Sequence, residues 1–174
     1  MITNPAARTR ALYLWETQDL VNRKGVFQIR KMWRTPQDLQ LYCNIMWRFL
    51  TNRIDNIPRV EFSDAKDLPA CYGWTYIRLT PGYRTNLVMV HELTHAMRYG
   101  TPGNPHSRGF VDAYIRNLSA WFEWSEGELT MQAQFRNLLP STAKARKLRF
   151  SKAVVNVRDD YENVTYADTL NYQP

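Results

Sequence analysis

Val90-His91-Glu92-Leu93-Thr94-His95, followed after Gly100-Thr101-Pro102-Gly103-Asn104 by Pro105-His106, is the stretch that organises this chain. On a helix, two imidazoles four residues apart lie about 40° from each other on one face, so both can reach a single ion, with Glu92 beside them. The chain has only three histidines, and all of them fall between positions 91 and 106. That clustering raises a short pattern to a candidate zinc site with one ion per chain.

The flanks support a helix here. Thr85 or Asn86 suits the start, Gly100 the stop after Tyr99, and Val90, Leu93 and Met97 form an inward stripe beside the histidine stripe. The turn formers from Gly100 to Pro105 let the chain double back and bring His106 to the first two ligands, with Asp112 or another acid an alternative third ligand. Three protein ligands leave a zinc position open for water, as catalytic sites do, whereas structural sites are closed by four. Ser107 can cap a following helix whose Phe110, Val111, Tyr114, Ile115, Leu118, Trp121 and Phe122 present a strongly apolar face to the metal helix.

Upstream, residues 1–8 read as a loose arm. A helix is expected from about Arg10 to Lys24 with Leu12, Trp15, Leu20 and Val21 inward, ended by Gly25. Thr35-Pro36-Gln37-Asp38 marks a second helix start, with Leu39, Tyr42, Met46 and Phe49 at core spacing. Ile57–Phe62 and Tyr72–Leu79 read as strands with a turn at Asp64–Pro69, giving two or three antiparallel strands. Met131, Phe135, Leu138 and Leu139 suggest one more helix. The whole is an α+β domain spanning 1–174, with helices packed on a small antiparallel sheet.

Composition bounds the rest. A chain of 174 residues with 44% apolar content can bury one sizeable core. No run is long and apolar enough for a membrane span, and Arg8, Arg10, Glu16 and Asp19 break up any signal-peptide core, so a cytoplasmic location is the expectation. Cys43 and Cys71 are read as reduced thiols. The net charge of +7 is uneven: residues 1–60 carry ten Lys/Arg against four acids. Lys144, Arg146, Lys147, Arg149, Lys152 and Arg158 precede a final acidic stretch from Asp159. The segment 140–174 is thus basic and then acidic, and suits either a nucleic-acid-facing surface, with Lys144, Arg146, Lys147, Arg149 and Lys152 as contacts, or a terminal strand or tail.

Between Cys71 and Trp124 the sequence resembles the SprT-like zinc metalloproteases, which include the spartan-type proteases. Tyr76-Ile77-Arg78-Leu79-Thr80-Pro81 is similar to the strand and turn before that family's metal helix, His91-Glu92-Leu93-Thr94-His95-Ala96 to its HExxHA segment, and Pro105-His106-Ser107-Arg108-Gly109-Phe110 to its third-histidine segment. Ser107 stands where Gly is common, and the C-terminal zinc ribbon of many members is absent. Arg98 and Thr101 occupy positions where a metzincin requires Gly and His. The resemblance implies a zincin-like fold and peptide hydrolysis, with His91, His95 and His106 holding Zn²⁺, Glu92 as general base, and substrates among proteins associated with DNA. Arg98, Tyr99, Arg108 and Tyr114 are close enough in sequence to contact the substrate or stabilise charge in the transition state. Two other classes fit the same residues: a nucleic-acid-binding protein with a structural zinc, and a zinc hydrolase of non-peptide substrates.

Overall fold

The computed structural model describes residues 2–64, 70–72 and 75–140. Helix α1 spans Pro5–Leu14 and continues without a break into a π-helical stretch, Trp15–Leu20. Then come α2 (Ile29–Met32), α3 (Pro36–Thr51), strands β1 (Arg59–Phe62), β2 (Ala70–Tyr72) and β3 (Tyr76–Leu79), and helices α4 (Asn86–Met97), α5 (Arg108–Phe122) and α6 (Glu126–Phe135). The fold is α+β. Among the described residues no helix is long and apolar enough to cross a membrane.

The expected loose arm at 1–8 is in fact helical from Pro5. Asn4 Oδ1 accepts from the backbone N–H groups of Ala6 and Ala7 at 2.9 and 3.3 Å, and Pro5 occupies the first helical position, where its missing N–H costs nothing. The same cap-then-proline pattern starts α3. There Thr35 Oγ1 accepts from the Asp38 N–H, and Asp38 returns the bond to the Thr35 N–H, both at 3.1 Å. A reciprocal pair of this kind is worth about 1 kcal/mol or more to the helix end. The first helix also stops short of Lys24, so Val21 emerges half-exposed rather than inward, as does Phe49 on α3, which instead sets its edge against the Trp121 ring at 5.5 Å.

The sheet corrects the expectation of antiparallel strands. Its order is β1-β3-β2, with β1 and β3 parallel (Val60 opposite Ile77) and only β2 antiparallel to β3 (Cys71 opposite Ile77). The run Tyr72–Leu79 is therefore not one strand. It holds the end of β2 and all of β3, which run antiparallel to each other, while β3 runs parallel to β1. An apolar run long enough for one strand hid a hairpin, because aromatic and branched residues favour strands without saying which way they run.

Nearly all of α4 is inside. Leu87, Met89, Val90, Leu93, Thr94 and Ala96 are buried along with His91 and Glu92, and the helix packs on α5, α3, β2 and β3. Its start is clamped by Thr85, which caps the Val88 N–H at 3.2 Å, and by Asn86, which exchanges hydrogen bonds with Phe27 and reaches the Gly25 carbonyl at 2.8 Å. It ends at Met97, with Gly100 at φ +80° completing the exit. On α5, Ser107 caps the Phe110 N–H and the expected Phe110, Val111, Tyr114, Ile115 and Leu118 are buried. On α6 the inward residues are Leu129 and Ala133, with Leu138 and Leu139 buried just beyond, while Phe135 is half-exposed.

Candidate metal centre

The local rules that build α4 and α5 place three imidazoles in one spot. His91 and His95 project from α4 one turn apart. Gly103 at φ +108° and the Asn104 side chain, which accepts from the His106 N–H at 2.9 Å, turn the chain so that His106 returns just before α5 begins. The Nε2 atoms form a triangle: 3.0 Å between His91 and His95, 3.0 Å between His95 and His106, and 3.3 Å between His106 and His91. A tetrahedral ion bound at about 2.0–2.1 Å has ligand-to-ligand edges of about 3.3 Å, so the triangle fits one face of such a site. These three residues are the group among the described residues that could hold a metal ion. Asp112 is not part of it and pairs with Arg108 at 3.5 Å instead.

What holds the rings comes from α1 and the π-helical stretch that continues it. Glu16 Oε1 lies 2.5 Å from His91 Nδ1, both groups buried. Thr9 Oγ1 lies 3.0 Å from His106 Nδ1. Tyr13 sits between them, stacked on His91 with ring centroids 6.0 Å apart and edge-on to His106 at 5.7 Å. Thr9, Tyr13 and Glu16 follow i, i+4, i+7 spacing, which puts them within about 60° of arc on one stripe. Leu12 and Trp15 fall on the core side of the same helix and are fully buried. With both Nδ1 atoms engaged by Glu16 and Thr9, the Nε2 atoms of His91 and His106 face the centre, the arrangement that orients histidine ligands in metal sites.

Arg8 fixes this stripe in place. Its guanidinium donates to the His106 carbonyl at 2.7 Å, to the Ile2 carbonyl at 3.1 Å and to the Leu138 carbonyl, so the arginine is buried and fully engaged. The π-helical stretch begins two residues after Tyr13, and its wide Val21 N–H to Glu16 carbonyl bond (2.8 Å) marks the local distortion around Glu16. Such stretches recur at functional sites. From the other side, Phe110 stacks on His95 with centroids 4.3 Å apart, and Asn117 of α5 donates to Thr94 Oγ1 at 2.8 Å, locking the turn between the first two ligands.

The electrostatics suit metal binding. Burial, together with the neighbouring His91, His106 and Arg98, depresses the His95 imidazole to about 2, and burial and His91 lower His106 to about 4, so both are neutral at pH 7 as ligands must be. Burial pulls His91 down too, but the charge and hydrogen bond of Glu16, aided by Glu92, outweigh it and raise its pKa. In the metal-free protein His91 is therefore the ring that best retains a proton, which a cation displaces.

His91 and His95 open onto a cleft of about 360 Å³ whose walls include Tyr13, Glu92, Arg98, Tyr99 and the 100–105 turn. Glu92 is buried at the cleft and stands outside the ligand triangle. The chain matches no known protein family, no curated protein and no solved structure. Of the four contacts expected from sequence, Arg98 and Tyr99 do line the cleft, Tyr99 at its exposed rim. Arg98 lies flat against Gly109, where a Cβ would stand 3.0 Å from its Nη2. Arg108 points away towards Asp112, and Tyr114 is fully buried behind His91. Burial, followed by the carboxylates of Glu16 and Glu92, raises the Tyr114 phenol well above its usual value and keeps it protonated. The expected nucleic-acid contacts Lys144, Arg146, Lys147, Arg149 and Lys152, and the whole segment from 141, lie outside the described residues.

Thr9, Tyr13 and Glu16 were missed because no short pattern joins them to the histidines. A signal was present nonetheless: an acid and a threonine at helical spacing around a tyrosine, on a helix otherwise chosen for its apolar residues.

Proposed function

We propose that this chain is a zinc-dependent metallopeptidase with a zincin-like arrangement, cleaving peptide bonds in proteins. One observation carries the reading: three neutral-capable imidazoles converge on one point at the wall of an open cleft, with a buried non-ligand carboxylate, Glu92, on the next residue of the same helix. Three ligands and an open side favour a catalytic over a structural site. Zn²⁺ is the ion that best matches an all-imidazole triangle of this size, among metals that accept such ligands.

When bound, zinc supplies a Lewis acid that acidifies water and polarises a carbonyl. The chain's own residues do the rest. Glu92 accepts the proton of the attacking water and passes it to the leaving amine. His91, His95 and His106 would hold the ion, and Glu16 and Thr9 keep two of those rings turned the right way.

The proposal extends to substrates associated with nucleic acid and a cytoplasmic setting, on the strength of the basic charge and the family resemblance. The decisive experiment compares wild type with Glu92→Gln on an unfolded labelled protein, with and without single- and double-stranded DNA, after zinc content is measured on untagged protein. Wild type should carry one zinc and cleave. Glu92→Gln should keep the zinc and lose at least about 10²-fold in rate. Equal activity in the two would remove Glu92 as the base, and a chain with no zinc would end the reading altogether.

A further inference from the structure

Hydrolysis of an amide needs a donor for the carbonyl oxygen as negative charge builds on it, and the four residues that sequence proximity suggested are poorly placed for that task. Tyr114 is sealed behind His91, Arg108 faces Asp112, Tyr99 sits at the exposed rim, and Arg98 is laid against Gly109 on the His95 side. A better candidate donor comes from elsewhere in the chain. Tyr13 lines the same cleft wall as Glu92, His91 and His95, and its ring is wedged against both His91 and His106.

We propose that Tyr13 is a catalytic residue of this site: its phenol O–H donates a hydrogen bond to the substrate carbonyl oxygen as water adds to the carbonyl carbon. This rests on the peptidase reading above. In the step concerned, the water oxygen forms a bond to the carbonyl carbon, the C=O π pair moves onto oxygen, and the released proton goes to Glu92. Collapse then breaks the C–N bond, and the Glu92 proton moves to the departing amine. Tyr13 keeps its own proton throughout and changes only the strength of the bond it donates.

Preorganisation is what makes such a donor effective, because nothing then has to be reoriented during the reaction. Tyr13 has it by construction. One turn before it, Thr9 is bonded to His106 Nδ1, and one turn after it, Glu16 is bonded to His91 Nδ1. Arg8 ties the same helix to the backbone of His106 and of Leu138. The helix is thus anchored on both sides of Tyr13 to the residues that would hold the metal, which fixes the phenol relative to the reacting centre. Its ring contacts both His91 and His106 and the residue lines the cleft, so Tyr13 stands beside the triad rather than in the apolar core.

The test is Tyr13→Phe, which preserves the ring and its stacking and removes one oxygen. Zinc affinity, measured by chelator competition, should stay within about twofold of wild type, as should the thermal midpoint. On a fluorogenic peptide built around a bond that wild type cleaves, kcat should fall about 10²–10³-fold with little change in KM. A phosphinic peptide of the same sequence, which imitates the tetrahedral anion, should bind more weakly by a similar factor, while a product peptide should bind as before. Unchanged kcat in Tyr13→Phe, with active wild type, overturns the role of Tyr13 and leaves the peptidase reading standing. A fall that tracks lost zinc affinity also overturns it, since the tyrosine would then act through the ligands. Wild type that binds zinc but cleaves no peptide overturns the peptidase reading and this proposal with it.

Discussion

Helices α4 and α1 meet at the same three imidazoles, yet they encode their parts in opposite ways. On α4 the chemistry is written locally: His91, Glu92 and His95 lie within five residues, and the helix that carries them has a cap, an apolar stripe and a glycine exit. On α1 it is spread over Thr9, Tyr13 and Glu16, residue types common on any helix surface, and acquires meaning only when the fold lays that stripe against His91 and His106. Ligands must be of rare types at fixed spacing, whereas the groups that orient them need only offer an oxygen at the right place. A metal site therefore advertises its first contacts in sequence and conceals the next ones.

The largest expected effect tests the local half. His106→Ala should abolish stoichiometric zinc binding and activity together, by metal analysis and peptide assay. Full zinc content in that variant would mean that the third ligand lies elsewhere and that the turn from Gly100 to Pro105 was misread.

An intermediate effect tests the dispersed half. Glu16→Ala should weaken zinc about 10–100-fold in chelator competition, the usual penalty for losing a carboxylate behind a histidine ligand, with Glu16→Gln recovering part of the loss through its carbonyl oxygen. Unaltered affinity would reduce α1 to a packing element and erase the contrast drawn above.

The smallest effect is on the pH dependence of metal-free stability, followed by urea unfolding. His95 and His106 have folded pKa values near 2 and 4, below the unfolded value near 6.5, so below pH 6.5 the unfolded chain binds protons that the folded one refuses. Stability should fall as pH drops from about 6.5 towards 4. His91 works the other way: its raised pKa gives stability that is complete below 6.5 and lost as pH rises through the folded value. Glu16→Ala should flatten that alkaline loss and leave the acid one. A metal-free protein equally stable from pH 4 to 8 would contradict both assignments.

The same division between local and dispersed information explains what could be read of the fold. Thr35-Pro36 and Ser107 announced their helices correctly because capping is decided within four residues. Asn4-Pro5 carries the same signature and starts a helix where polar composition alone suggests an arm. The sheet was harder: Tyr72–Leu79 is rich in strand formers, but strand direction depends on where the chain reverses and which neighbour it finds, and no residue in that run states it. At the site, the sequence pattern picks out the three histidines that the fold brings together and Glu92 beside them, whereas nearness in sequence does not say that Tyr114 is buried or that Arg108 turns to Asp112.

The three carbonyls held by Arg8 belong to positions 2, 106 and 138, almost the full extent of the described chain. During synthesis the two histidines of α4 and the glutamate of α1 leave the ribosome long before Leu138 does, so for that interval the third histidine lacks the arginine bridge's far anchor. The centre is thus tied to the far end of the described chain as well as to its beginning, through a carbonyl more than thirty residues past His106.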